Sequence, residues 1–170
     1  FQNKINNKKK LLNEKIKKLS YLKKKINSIN DCNLKKNASQ IVFGEGNIES
    51  EIMLVGEGPG QKEDEIGKPF VGDAGILLNK MLEAIKIKRS NIYITNVVNF
   101  RPPNNRKPEP SEISRYSIYL REHIAIIKPK ILILMGSTAM ESLLGNKIKI
   151  SKERGKWKDI IINNKSFPTI

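Results

Sequence analysis

Ile52-Met53-Leu54-Val55-Gly56-Glu57-Gly58-Pro59-Gly60-Gln61-Lys62-Glu63-Asp64 is the stretch that decides the fold. An apolar run of strand length ends in three glycines spaced two apart, with Pro59 among them. Such a turn brings backbone, not side chains, to the end of a strand. Gly67-Lys68-Pro69-Phe70-Val71-Gly72 follows at once, and a helix-like segment comes next. The acidic cluster and the lone aromatic Phe70 then line whatever enters. That suits a flat, uncharged ring more than a phosphate.

The phosphate-binding alternatives fail on spacing. A Walker A loop needs G-x-x-x-x-G-K-[ST]. Here Gly67-Lys68 is followed by Pro69, and the residue five before Gly67 is Lys62. A dinucleotide fingerprint needs G-x-G-x-x-G, whereas this loop reads Gly56-x-Gly58-x-Gly60. Glu57, Glu63, Asp64 and Glu65 against Lys62 would repel a pyrophosphate.

Outward from the loop, helices alternate with strands. Residues 4–29 place Ile5, Leu12, Ile16, Leu19, Leu22, Ile26 and Ile29 on one helical stripe, with lysines on the other faces. That helix packs on the domain by its stripe, or else tracks phosphates or a partner with its lysines. Short strands are expected at Ile41–Phe43, Glu51–Val55 and Lys130–Met135, with a β-rich run from Asn91 to Val98. An amphipathic helix over Ala74–Ile85 is expected to turn Ile76, Leu77, Met81, Leu82 and Ile85 inward. Ser111 is the N-cap candidate for a helix to Ile127. Gly136-Ser137 opens another helix, closed by Gly145. Trp157–Ile162 and Lys165–Ile170 read as a strand pair across Asn163-Asn164. The pattern implies an α/β fold: a three-layer α/β/α sandwich around a central, mostly parallel sheet of four to five strands. Two units are expected, a lysine-rich N-terminal helix over 1–36 and an α/β domain over 37–170. Ligands of such sheets bind beyond the carboxyl ends of the strands, where the Gly56 loop, Asn96 and the Gly136 turn all fall.

The formal net charge is +15. Residues 1–36 contribute +10 of it, twelve lysines against Glu14 and Asp31. Such a balance favours polyanions, nucleic acid above all, although a Lys-, Asn- and Ile-rich composition also raises it. Cys32 is the single cysteine, which excludes an internal disulfide framework and a cysteine-only metal site. No run of about 18 apolar residues and no signal peptide is present. A soluble, cytoplasmic protein without a membrane partner is expected.

Several segments together resemble the uracil-DNA glycosylase superfamily, specifically its family 4. They are Val42-Phe43-Gly44-Glu45-Gly46-Asn47, the Gly56–Asp64 loop, and Gly67-Lys68-Pro69-Phe70-Val71-Gly72-Asp73-Ala74-Gly75. Ile94-Thr95-Asn96-Val97-Val98, Arg101-Pro102-Pro103-Asn104-Asn105-Arg106 and Leu134-Met135-Gly136-Ser137-Thr138-Ala139 continue the match. Arg154-Gly155-Lys156-Trp157 resembles a later loop of the family.

The resemblance implies hydrolysis of the N-glycosidic bond of uracil in DNA, single- or double-stranded, after the base is flipped out. By it, Phe70 is the stacking ring and Asn96 the edge reader, an amide able to accept from uracil N3–H and donate to O4. Core packing is the alternative for Phe70, and a strand-end cap for Asn96. Gly56, Pro59 and Gly60 would form the backbone wall of the pocket. Glu57 and Glu63 match acidic positions of the family motif, Glu63 on the side where thymine's methyl group would clash. Gly58 stands where other branches carry a water-activating Asp, so backbone groups and Glu57 would hold the water. Asn105, Arg106, Ser137, Arg154, Gly155 and Lys156 are the expected DNA contacts, in a monomer.

Two departures matter. The family's four iron–sulfur cysteines fall here on Ile29, Cys32, Phe100 and Tyr116, so no cluster, metal or other cofactor is expected. The family's His-Pro-Ser motif follows the strand containing Phe167-Pro168-Thr169, and the sequence stops at Ile170. The expectation is a fragment of a longer protein that supplies it, since His123 lies in the helix after Ser111. The rival expectation is a degenerate DNA-binding module, or a domain of a larger repair or polymerase-like protein.

Overall fold

The computed structural model describes residues 2–145 and 149–170. Helix α1 (Gln2–Asn27) and a short α2 (Asn33–Asn37) precede the sheet. Then come β1 (Glu45–Gly46), β2 (Ile52–Gly56), α3 (Gln61–Ile66), α4 (Asp73–Ala84) and β3 (Tyr93–Asn96). The chain continues through α5 (Pro110–Ile127), β4 (Ile131–Leu134), α6 (Ser137–Leu144), α7 (Ile150–Glu153), β5 (Lys158–Ile162) and β6 (Lys165–Thr169).

The strands form one sheet in the order β1-β3-β2-β4-β6-β5. The four inner strands are mutually parallel, and β1 and β5 add antiparallel edges. The sheet therefore has six strands where the sequence suggested four to five. The additional edge is the two-residue β1. It lies at Glu45–Gly46 and not at Ile41–Phe43, which runs without strand pairing.

Side-chain alternation along the strands splits the interior in two. Met53, Val55, Tyr93, Val97 and Leu132 point to the larger core, against Leu19, Leu22 and Ile26 of α1 and Tyr116, Leu120, Ile124 and Ile127 of α5. Leu54, Ile92 and Ile94 point to the opposite face, against Leu78 and Leu82 of α4. Layers of helix, sheet and helix result. Lys15 fastens α1 by donating from Nζ to the carbonyls of Ile48 and Ile127, 2.9 Å each. Burial pulls its pKa down.

Two sequence expectations are corrected here. Helix α4 buries Gly75, Leu78 and Leu82 and leaves Ile76, Leu77, Met81 and Ile85 between 51% and 63% exposed. Only Leu82 of the expected inward set faces the core. The reason is steric: a Cβ on Gly75 would stand 1.9 Å from the Phe70 carbonyl oxygen. The helix must present its bare position to that loop, which rotates the richer apolar stripe outward. The second correction concerns α5, which begins two residues early, at Pro110, with Glu109 and not Ser111 as its N-cap. Pro110 suits the first helical position, where an N–H has no partner. Glu112 closes the cap by accepting from the Glu109 N–H at 2.7 Å.

Candidate active site

Strands β2 and β3 are parallel neighbours, and their register sets Gly56 beside Asn96. Asn96 continues the face of Ile92 and Ile94, so its side chain emerges on the α4 side of the sheet. Phe70 packs half-buried against that same smaller core. The two converge on Gly56. A Cβ there would lie 2.5 Å from the Phe70 ring and 2.6 Å from Asn96 Oδ1. Only a glycine leaves both groups their places.

Asn96 is 3% exposed, and its Oδ1 has no hydrogen-bond partner among the described residues. An orphaned buried acceptor costs about 1–3 kcal/mol and is rare in native proteins. It leaves an acceptor open to a donor from outside the protein. Beside it, Phe70 adopts a left-handed backbone, φ 54°, uncommon for an aromatic residue. The geometry brings together an aromatic face, a free amide oxygen and a stretch of bare backbone.

The acids divide. Glu63 is 9% exposed and turned inward. One carboxylate oxygen accepts from Gly60 N–H at 3.1 Å. The other accepts from Val71 N–H at 2.9 Å and Gly72 N–H at 2.7 Å. Asp64 accepts from the Ser39 N–H at 2.9 Å and from the Gln40 N–H at 3.3 Å. The acidic cluster therefore does not line the entrance as a block. Backbone amides compensate two of its carboxylates. Glu57 stays exposed and accepts a hydrogen bond from the Thr138 hydroxyl on the first turn of α6. Gly58 lies against Val98, and a Cβ there would be 2.7 Å from its methyl group. Pro59 is buried behind it.

The expected DNA contacts fall in three separate segments. Ser137 opens α6 next to Thr138. Asn105 closes a 3-10 turn (Pro103–Asn105) and accepts from Arg101 Nε at 2.8 Å. Arg106 is bound bidentately by Glu112, 2.8 Å at both nitrogens. Arg106 in turn pulls the Glu112 carboxyl below its usual range. Arg154, Gly155 and Lys156 are exposed after α7. Gly136 and these three line a cavity of about 90 Å³ near the ends of β4 and β6.

At the positions of the family's cluster ligands, Cys32, Phe100 and Tyr116 are 5%, 2% and 0% exposed and share the main core. Ile29 packs on it. Cys32 Sγ lies 3.3 Å from Tyr116 Oη. Burial, reinforced by Cys32, pushes the Tyr116 phenol well above its ordinary value. One thiol, one phenol and two hydrocarbon side chains do not fit a four-thiolate cluster. No group of three or more metal-ligating side chains occurs among the described residues. The single histidine, His123, is also structural. It stacks on Phe43 with ring centres 4.4 Å apart, and its Nε2 lies 2.9 Å from Tyr93 Oη.

Thr138 was not anticipated as the partner of Glu57, although its place at the start of a helix in Gly136-Ser137-Thr138 is a visible signal. Arg89, which reaches the Pro69 carbonyl at 2.8 Å, carries no local signal.

The Uracil DNA glycosylase superfamily profile matches residues 43–170. A type-4 uracil-DNA glycosylase of Thermotoga maritima is 44% identical over 139 residues, 81% of this chain and 72% of that protein. A type-4 uracil-DNA glycosylase of Sulfurisphaera tokodaii is 42% identical over 163 residues, 89% of this chain and 72% of its own length. A DNA polymerase of Bacillus phage SP01 is 34% identical over 128 residues, 75% of this chain but 14% of the polymerase. With β2, β3 and their loops arranged as described, the chain belongs to the uracil-DNA glycosylase superfamily and is family-4-like within it.

Proposed function

We propose that this chain is a uracil-DNA glycosylase of DNA repair, hydrolysing the bond between uracil and deoxyribose and leaving an abasic site. The observation that carries this reading is the buried, unpartnered Oδ1 of Asn96 facing the Phe70 ring across Gly56. Uracil swung out of the stack lies on the Phe70 face, and its N3–H donates to that oxygen. Cytosine has no hydrogen at N3 and leaves the acceptor unmet, a penalty of the kind that gives polar sites their selectivity.

Glu57, held by Thr138, is the free carboxylate of the loop. It suits stabilisation of the positive charge that develops on the sugar and orientation of the attacking water. Gly56, Gly58, Pro59 and Gly60 supply the backbone wall. Glu63 acts by fixing that wall, since its oxygens join the amides of Gly60, Val71 and Gly72. Ser137, Asn105, Arg106, Arg154, Gly155 and Lys156 are the proposed contacts to the DNA backbone, with Arg106 oriented by Glu112. The substrate is uracil in single- or double-stranded DNA, and the working unit is a monomer. In this reading the lysine-rich α1 buttresses the glycosylase domain, whose main core its Leu19, Leu22 and Ile26 share. No iron–sulfur cluster takes part in this reading, because Ile29, Cys32, Phe100 and Tyr116 offer one thiol where four thiolates are needed. No helix among the described residues is long and apolar enough to cross a membrane, in keeping with a cytoplasmic enzyme.

The partial match to a phage DNA polymerase favours a second reading, a glycosylase-fold domain serving a larger replication protein. Incubation with oligonucleotides carrying one uracil, followed by alkaline cleavage of abasic sites, separates the two. Strand scission confined to the uracil lanes, and reduced at least tenfold by Asn96→Asp, is expected of the enzyme. Tight DNA binding without scission favours the binding domain.

A further inference from the structure

Phe70 is the only part of the proposed pocket held in a strained backbone conformation, and the groups that hold it are distributed around the loop. On its C-terminal side, Glu63 accepts from the Val71 and Gly72 N–H groups. Beneath it, Gly75 gives its carbonyl room. On its N-terminal side the Pro69 carbonyl accepts from Arg89 Nη2 at 2.8 Å. Arg89 sits in the 3-10 turn before β3, twenty residues away in sequence. Its guanidinium also donates to Asn79 on α4 at 3.1 Å and pairs with Glu45 of β1 at 3.3 Å. Glu45 is held from the other side by Lys68 at 3.6 Å, on the same loop as Pro69. Gly44-Glu45-Gly46, a segment of the family match with no role in the pocket, thereby acquires one.

We propose that Arg89, oriented by Glu45, is a positioning residue for uracil recognition: it fixes the Pro69 carbonyl and so the left-handed turn that presents the Phe70 ring to Asn96. This rests on the reading of Phe70 and Asn96 as the base-holding pair. A planar guanidinium donates in fixed directions, so one side chain can tie α4, the edge strand and the loop into a single geometry. Groups held only by their own torsions lose placement, and displacement of about 1 Å at a reactive site can cost 10²-fold. Strained backbone persists only where its surroundings over-determine it. Arg89 and Glu63 supply that determination from the two sides of residue 70.

The test uses the whole chain and a readout independent of turnover. Duplexes carry one 2′-fluoro-2′-deoxyuridine, whose glycosidic bond resists hydrolysis, or thymidine at the same place. Fluorescence anisotropy gives the ratio of the two Kd values for the wild type, Arg89→Ala, Arg89→Lys, Phe70→Ala and the double variant Arg89→Ala/Phe70→Ala. Arg89→Ala is expected to lower the uracil preference about tenfold, and Arg89→Lys, which keeps one donor, to lower it less. In the Phe70→Ala background the same Arg89 change is expected to cost under about twofold, because residues acting through one another are not additive. An undiminished preference in Arg89→Ala, or an equal loss in both backgrounds, overturns this inference alone. A Phe70→Ala protein with full preference overturns it together with the stacking reading. Should Arg89→Ala fail to fold, Glu45→Gln serves in its place, with a loss of about threefold expected in the wild-type background and none beside Phe70→Ala; equal losses there overturn the inference equally.

Discussion

Thr138 and Glu57 are joined by a hydrogen bond from the threonine hydroxyl to the carboxylate, which ties the first turn of α6 to the loop after β2. Thr138 is fully buried, so one end of the only exposed carboxylate in the Gly56–Asp64 loop is anchored in the protein. Bonds to charged groups contribute about 1.5–3 kcal/mol. Thr138→Val is expected to lower uracil excision about tenfold, and Thr138→Ser to retain most of it. Single-turnover rates check this. Equal rates in the two variants would separate Glu57 from the reaction.

Gly56→Ala probes the pocket while leaving Phe70 and Asn96 themselves unsubstituted. Its methyl group would collide with both the Phe70 ring and Asn96 Oδ1, while Gly56 has no positive φ to strain. Excision is expected to fall about 100-fold, with overall binding to undamaged DNA unchanged. Normal excision would place the uracil elsewhere.

His123 makes stability depend on pH. Burial lowers its pKa from 6.5 to about 3. Below pH 6.5 the unfolded chain binds a proton that the folded chain refuses. The stability attached to the neutral ring is therefore complete above pH 6.5 and is lost as pH falls toward 3, by about 1.4 kcal/mol per unit. Between pH 7 and pH 5 urea unfolding should register a loss of about 2 kcal/mol that His123→Phe lacks. Parallel losses in the two proteins would mean that the ring is protonated when folded.

Cys32 and Tyr116 predict indifference to iron. The purified protein should be colourless, and chelators should leave its melting temperature and DNA binding unchanged. Cys32→Ala removes a buried sulfur and leaves the Tyr116 hydroxyl alone, at an expected cost of about 1–2 kcal/mol in urea unfolding. A brown preparation bleached by chelation would contradict this.

The meeting of Asn96 with Gly56 was legible in the sequence because both stand at strand ends, whereas Phe70 was marked as the stacking ring only by the family resemblance. Period-two alternation places Leu54 and Ile94 on one face, and Asn96 follows from Ile94 by counting. The glycines of the loop announce a backbone wall, and the alternation of elements announces the parallel inner sheet. Contacts between distant segments were not legible. Nothing near Ala74–Ile85 reveals that Gly75 must face the Phe70 carbonyl, so the apolar stripe of α4 was assigned to the wrong side. Nothing near Arg89 points to Pro69. The acids of the loop looked alike in sequence, yet Glu63 and Asp64 turn onto amides while Glu57 does not. That division depends on where the Val71, Gly72 and Ser39 N–H groups lie in three dimensions.

The left-handed backbone at Phe70 has a consequence for how this fold can change its substrate. The main chain on either side of the ring is gripped by Glu63 at Val71 and Gly72 and by Arg89 at Pro69, while the ring rests on the smaller core. Residue 70 is thus a socket. A tyrosine there would leave the main-chain grips in place, whereas a tryptophan must find room beside Gly56, which the phenyl ring already crowds. Under the proposed function, a change of ring at that position would be felt first by the bound base.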